Sequence, residues 1–173
     1  DVYKRQSPDF YLDHMQSMSA DEPSGRGEVI DWKSFYETPV LPQGLTDGER
    51  AHILGVQANL WTEHMRTSEI MERQMWPRAA MLAEIAWTAP ERRQWDEFAA
   101  RLPAELAREK AMGIGYDRTP LQALGTFTAA GDRIAVRLEQ PVKAGTLHYT
   151  TDGSAPLAGS PAYAARCRRL CSA

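Results

Sequence analysis

Two kinds of structure follow one another in this 173-residue sequence: an α/β portion first, then a small all-β module. Three observations predict this. An aromatic-x-carboxylate pattern occurs twice at what read as strand ends, as Tyr11-Leu12-Asp13 and again as Trp61-Thr62-Glu63. Apolar residues from Met71 to Ala107 recur at the spacing of amphipathic helices. From Thr126 onward the period changes to two, with turn-formers between the alternating segments.

Taken in order, SPDFYLD (residues 7–13) combines a Ser-Pro turn signal with an apolar-aromatic run suited to the end of a strand. Residues 14–27 are rich in Gly, Pro and acidic side chains and read as a loop. Asp31 is a fitting N-cap for a short helix to Glu37 that carries Trp32, Phe35 and Tyr36 on one face, and Pro39 and Pro42 end it. A polar connection, PQGLTDGER, leads to a predicted strand from His52 to Trp61 that closes on Glu63. Strand alternation would put Trp61 and Glu63 on one face, together with Gln57 and Asn59.

Thr67 or Ser68 can cap the next helix, and Glu69 and Glu72 suit its dipole. Its predicted apolar face holds Met71, Met75, Trp76, Ala79, Leu82, Ala83 and Ala86, to about Trp87, with a kink expected at Pro77. Trp95, Phe98, Leu102, Leu106 and Ala107 outline a second helix, interrupted at Pro103 and stopping before Gly113 and Gly115. Residues 118–125 read as a linker. In the β module, residues 126–173, Phe127, Ile134, Val136 and Leu138 alternate with polar residues, as do Leu147, Tyr149 and Thr151. The expected turns are Gly131-Asp132, Gln140-Pro141 and Asp152-Gly153.

Composition narrows the function. Hydrophobic residues make up 43% and charged residues 25%, ordinary for a globular chain. The net charge is −3 and the 20 Lys and Arg are scattered, which argues against nucleic acid or an anionic membrane as partner. No apolar run approaches the roughly 20 residues of a membrane span. Cys167 and Cys171 have no neighbouring His ligands and read as incidental thiols, and Glu63-His64 lacks the H-E-x-x-H spacing. Neither a metal nor a cofactor is expected.

A single W-x-E would read as a core tryptophan beside a rim carboxylate. Its counterpart in Tyr11-x-Asp13 points instead to sugar binding: a flat ring covers the apolar face of a pyranose while a carboxylate accepts from its hydroxyls. A strand ending in such a pair and followed by a helix resembles one unit of a (β/α)8 barrel, whose active sites gather at the C-terminal strand ends. A complete barrel needs about 250 residues. Residues 7–117 are therefore expected to be its last two βα units and terminal helices.

The segments YLDHMQ, GVQANLWTEHM, MWPRAAMLAEIAW, FAARLP and MGIGY, in this order, resemble the C-terminal half of family 20 glycoside hydrolases, the β-N-acetylhexosaminidases. LHYTTDGSAP followed by SPAY is similar to the small β-sandwich of many bacterial, chitobiase-like members. The resemblance covers roughly residues 7–163 and implies a retaining exo-hydrolase of terminal N-acetylglucosamine or N-acetylgalactosamine. In such enzymes the substrate's own acetamido carbonyl is the nucleophile.

By position, Tyr11 is similar to the tyrosine that donates to that carbonyl. Asp13 resembles a residue binding hydroxyls on the far side of the sugar, Trp61 one wall of the aromatic cage, and Glu63 the acceptor for O3 and O4. The family's adjacent Asp-Glu pair, which includes the general acid, is expected upstream of these residues. Asp21-Glu22 lies in the wrong place, so the chain is expected to be inactive alone. The implied partners are N-acetylhexosamine-terminated oligosaccharides or glycoconjugates, and the resemblance favours a periplasmic or extracellular setting. The competing reading is a non-catalytic glycan-binding protein using the same pocket. His14, His64, Trp32 and Arg78 read as structural. Met15 stands where many relatives carry an aromatic. Neither VYKRQ nor AARCRRLCSA reads as the strand expected at its position.

Overall fold

The computed structural model describes residues 4–6, 10–17, 25–130, 133–140, 142 and 145–164. Its contacts divide the chain into two compact units, residues 1–120 and 121–173. In chain order the first contains β1 (Lys4–Gln6), β2 (His14–Met15), β3 (Arg26–Val29), α1 (Trp32–Glu37), α2 (Asp47–Arg50), β4 (Ile53–Val56), α3 (Ser68–Met75), α4 (Arg78–Trp87) and α5 (Trp95–Ala111), with a 3₁₀ turn at Pro90–Arg92. The second contains the antiparallel pair β5 (Leu124–Ala130) and β6 (Arg133–Glu139).

All strand pairing in the first unit is parallel. β1 lies beside β4 with Arg5 opposite Gly55, and β2 lies beside β3 with His14 opposite Arg26. Both pairings depart from the sequence reading. The polar KRQ forms a strand because backbone groups, not side-chain hydropathy, make the ladder with β4. The predicted loop 14–27 likewise begins and ends in strand.

Local signals set the helix boundaries. Asp31 Oδ1 accepts from the amides of Lys33 and Ser34 at 3.0 and 3.1 Å, capping α1 as its position predicts. Thr46 and Glu49 form a reciprocal capping box, which turns part of the expected polar connection into α2. Thr67 caps α3. α5 ends in a Schellman motif: Ile114 N–H donates to Glu109 O and Gly113 N–H to Lys110 O, at 2.9 and 3.1 Å. Gly113 occupies the left-handed position this requires, at φ 76°. Pro103 does not interrupt α5. It faces solvent, while Phe98, Ala99, Leu102 and Leu106 anchor the helix from its buried side.

The expected kink at Pro77 is a full break. Trp76 is extended and the chain restarts as α4 after a cis Trp76-Pro77 bond. The break resets the helical phase, so the predicted apolar face is not the buried one. Gln74, Arg78, Met81 and Ile85 are buried, whereas Ala83, Ala86 and Trp87 are exposed. α4 is apolar nearly all round, so periodicity alone could not choose its inner face.

The core of this unit is aromatic. Phe10 meets Phe35 edge-on at 5.3 Å between ring centres, and Tyr36 stacks on Phe98 at 4.9 Å. Trp32 is 1% exposed, a core residue as expected, and its indole N–H donates to Gln16 Oε1 at 2.7 Å. Tyr36 donates to Glu84 Oε1 at 2.8 Å, and Arg101 clamps the same carboxylate from outside at 2.6 and 2.7 Å. Burial and the Glu84 carboxylate push the Tyr36 hydroxyl up to about 12.

Glu109 is fully buried in α5, and neither carboxyl oxygen has a hydrogen-bond partner among the described residues. Burial, with Glu105 adding to it, pushes its carboxyl up from 4.5 to about 7. The folded value lies above the unfolded one. The stability it contributes is therefore full below pH 4.5 and is lost as pH rises through about 7. Glu109→Gln should leave the unfolding midpoint near pH 4 unchanged and raise stability near pH 8 by about 1–3 kcal/mol. Denaturant unfolding of a complete catalytic domain carrying this chain checks it, and an equal effect at both pH values would count against a buried neutral acid.

In the second unit, Phe127 pairs with Val136 across the hairpin, and the predicted alternation shows in β6, where Val136 and Leu138 are less exposed than their neighbours, while Leu124 to Ala129 of β5 are exposed throughout. The Gly131-Asp132 turn and Pro141 lie outside the described residues. His148 and Ala162 form an antiparallel bridge, and the Tyr163 hydroxyl accepts from Leu138 N–H at 3.0 Å. The expected strand through Leu147, Tyr149 and Thr151 is reduced to that bridge.

Candidate active site

The segment carrying Tyr11 and Asp13 lies beside the one that leads to Trp61. Tyr11 and Asn59 form a parallel bridge: Leu12 N–H donates to Asn59 O at 2.7 Å and Asn59 N–H to Phe10 O at 2.9 Å. In this register Asp13 and Trp61 occupy matching positions at the C-terminal ends of their segments. Gln57 and Asn59 share a face, with Gln57 Nε2 donating to Asn59 Oδ1 at 2.9 Å.

The predicted long strand is shorter than expected. Regular pairing of β4 stops at Val56, the backbone of Asn59 pairs through an isolated bridge, and Glu63-His64 is a turn closed by Met65 N–H donating to Thr62 O at 3.0 Å. Alternation therefore orients side chains through Asn59 but does not reach Glu63. Trp61 is 51% exposed and Glu63 and His64 are exposed beside it. His64 is exposed, and His14 Nδ1–H donates to Glu28 O at 3.0 Å.

Asp13 is buried, at 2% exposure. Its Oδ1 has no hydrogen-bond partner among the described residues, and its Oδ2 lies 4.0 Å from Arg26 Nη1. The Arg26 guanidinium also stands 5.8 Å from the centre of the Tyr11 ring, whose other edge meets His14 at 5.8 Å. Beneath this strand end lies Arg78, fully buried. Its Nη2 donates to the carbonyls of Leu12, His14 and Gln74 at 2.6, 3.0 and 2.9 Å. The backbone carrying Tyr11 and Asp13 is thus pinned from below by one guanidinium.

Two surface clefts, of about 430 and 260 Å³, are lined by other residues, chiefly Arg73, Lys110 and Tyr116 in the first and Glu84, Arg92 and Arg101 in the second. Neither cleft is lined by Tyr11, Asp13, Trp61 or Glu63. Among the described residues no three His, Cys, Asp or Glu gather as metal ligands, and no helix is long and apolar enough to cross a membrane.

Residues 3–90 match the family described as glycosyl hydrolase family 20, catalytic domain. The chain belongs to that family. The family 20 match begins within the VYKRQ stretch, where the structure also has β1. Among curated relatives, the chain is 32% identical to a beta-hexosaminidase of Porphyromonas gingivalis over 158 residues, which is 88% of this chain and 20% of that protein. It is 35% identical to beta-hexosaminidase subunit beta of Sus scrofa over 89 residues, 50% of this chain and 16% of that one.

Solved family 20 structures agree. An exo beta-N-acetylglucosaminidase from Vibrio harveyi, in complex with N-acetylglucosamine, superposes with a TM-score of 0.56 at 26% identity, covering 64% of this chain and 18% of that one. A beta-N-acetylhexosaminidase from Streptomyces coelicolor superposes with a TM-score of 0.56 at 28% identity, covering 66% and 23%. The chain spans about a fifth of the length of these relatives.

Two features of this family 20 site escape sequence reasoning. Arg26 sits in what reads as a loop, and only the pairing of β2 with β3 brings it to Asp13. Arg78 is legible as a buried guanidinium but not as the clamp of the Tyr11 strand. A second adjacent acidic pair, Asp96-Glu97, is also passed over. It lies in the first turn of α5, exposed, where it suits the helix dipole and does not end a strand.

Proposed function

We propose that this chain forms the sugar-gripping part of the active site of a retaining exo-β-N-acetylhexosaminidase. One observation supports the reading above others. In a chain of family 20, the Tyr11-x-Asp13 segment runs parallel to the one leading to Trp61 through the Tyr11–Asn59 bridge, which sets Trp61 level with Asp13, and Glu63 lies in the turn just beyond. Parallel strands followed by helices support reading residues 7–117 as the last two units and terminal helices of a (β/α)8 barrel. The division between residues 120 and 121 supports a boundary inside the expected 118–125 linker, although β5 already begins at Leu124, and the β5–β6 hairpin with its neighbouring bridge supports a small sandwich-like module.

In this mechanism Tyr11 donates to the substrate's acetamido carbonyl and aims it at the anomeric carbon. Trp61 covers one sugar face, while Asp13 and Glu63 accept from hydroxyls at the non-reducing end. Carboxylates capping that end suit exo-action on terminal N-acetylglucosamine or N-acetylgalactosamine. The general acid comes from outside these 173 residues, which alone should not turn over substrate.

Glu63 tests the assignment. In a complete catalytic domain carrying this chain, Glu63→Gln replaces charge-assisted hydrogen bonds with neutral ones. It should lower kcat/KM on an aryl N-acetylglucosaminide by about 10- to 100-fold, through KM and kcat together. An unchanged kcat/KM would remove Glu63 from the site. Saturable binding by the wild type without hydrolysis would favour a glycan-binding protein instead.

A further inference from the structure

We infer that Arg26 is a positioning residue for this site, holding the Asp13 carboxylate and the Tyr11 ring in one arrangement. The inference rests on the functional reading above and goes beyond it, because Arg26 lies on β3, outside the two aromatic-x-carboxylate segments. Its place is built by the backbone. His14 and Arg26 are partners in the parallel β2–β3 pair, and Arg26 N–H donates to Asp13 O at 2.7 Å.

So close an approach needs a glycine just before it. A Cβ on Gly25 would meet Asp13 O at 2.9 Å, Met15 N at 3.0 Å and Gln74 Nε2 at 3.1 Å, two of them backbone atoms. From that anchor the side chain turns back across the strand end, 4.0 Å from Asp13 Oδ2 and 5.8 Å from the Tyr11 ring centre.

The chemistry requires something at this point. Asp13 is 2% exposed and its Oδ1 has no hydrogen-bond partner among the described residues. A buried carboxylate without a compensating cation is costly. Arg78, the other guanidinium at this strand end, spends its Nη2 on backbone carbonyls. Arg26 is more than half exposed, so it approaches from the solvent side. There it orients the Asp13 carboxylate for the sugar's hydroxyls and braces the Tyr11 ring by a cation–π contact. This places one cation against both the residue proposed to bind the sugar and the residue proposed to aim its acetamido group.

The test is a double-mutant cycle in a complete family 20 catalytic domain that contains this chain, with kcat and KM measured on an aryl N-acetylglucosaminide. Arg26→Ala should lower kcat/KM by about 10-fold with the thermal midpoint nearly unchanged, and Arg26→Lys should recover part of the loss. In an Asp13→Asn background, Arg26→Ala should cost less than about threefold, because the charge it compensates is gone. Equal losses in both backgrounds would show that Arg26 acts independently of Asp13 and would overturn the inference. So would an unchanged kcat/KM in Arg26→Ala alone. A different failure belongs to the underlying reading: if Asp13→Asn by itself leaves kcat/KM unchanged, Asp13 is not part of the site, whatever Arg26 does.

Discussion

Tyr11→Phe should lower kcat on an aryl N-acetylglucosaminide by about 10²- to 10³-fold, the usual cost of one lost transition-state hydrogen bond. The substitution isolates the hydroxyl. The Tyr11 ring is half-buried, touching His14 at one edge and facing the Arg26 guanidinium at 5.8 Å, and a phenylalanine ring keeps both contacts. The backbone bridge to Asn59 does not depend on the side chain. What disappears is a donor aimed at the acetamido carbonyl. As that oxygen attacks the anomeric carbon, the amide shares positive charge and its geometry tightens, so a fixed donor matters most at the barrier. KM should therefore move far less than kcat. A variant with near-normal kcat would remove Tyr11 from the reaction, and a loss confined to KM would make it a binding residue only.

How much of the molecule is legible in its sequence depends on how local each signal is. The Asp31 cap of α1, the stop at Gly113 and the alternation of β6 involve residues a few positions apart, and side-chain patterns reveal them. The inner face of α4 stays hidden because Arg-Ala-Ala-Met-Leu-Ala-Glu-Ile-Ala-Trp is apolar on nearly every side. Its choice is made by contacts elsewhere, chiefly the carbonyls that Arg78 reaches on a segment more than 60 residues earlier.

The site divides the same way. Tyr11, Asp13, Trp61 and Glu63 announce themselves as short paired motifs, and their placement on neighbouring segments follows from the Tyr11–Asn59 bridge. Arg26 gives no such sign. β2 and β3 are strands of 2 and 4 residues, too short for any period to show, and their pairing depends on Gly25 admitting a close backbone approach. The turn after Trp61 is hidden for a related reason: Thr62 to Met65 closes by a backbone hydrogen bond that no side-chain pattern encodes.

Arg78→Met should be strongly destabilising, costing about 3–5 kcal/mol, because it abandons several buried carbonyl acceptors at once. The fully buried guanidinium is the donor for the carbonyls of Leu12 and His14, at 2.6 and 3.0 Å, and for that of Gln74 at 2.9 Å, with Phe35 beneath it at 5.8 Å from ring centre to guanidinium. Methionine fills much of the volume and keeps the apolar contact but supplies no donor. Each buried carbonyl left unpaired costs about 1–3 kcal/mol, so the loss comes mainly from the abandoned acceptors rather than from a cavity. Lysine keeps a charged nitrogen with three donors for the carbonyls that Arg78 Nη2 reaches, but loses the flat guanidinium that stands over the Phe35 ring. Arg78→Lys should therefore fall between wild type and Arg78→Met.

Because two of the acceptors flank Asp13, the activity should fall as well, even below the variants' unfolding midpoints. Relaxing the Leu12–His14 backbone moves the Tyr11 hydroxyl and the Asp13 carboxylate together, and small misplacements at a reacting centre can cost about 10²-fold. Denaturant unfolding and kcat, measured on a complete catalytic domain carrying Arg78→Met and Arg78→Lys, separate the two effects. A methionine variant within about 1 kcal/mol of wild type would mean that the strand end holds its shape without the clamp. A strongly destabilised variant with full kcat would mean that the clamp serves folding alone, leaving the order of the site to Arg26 and the Asn59 bridge.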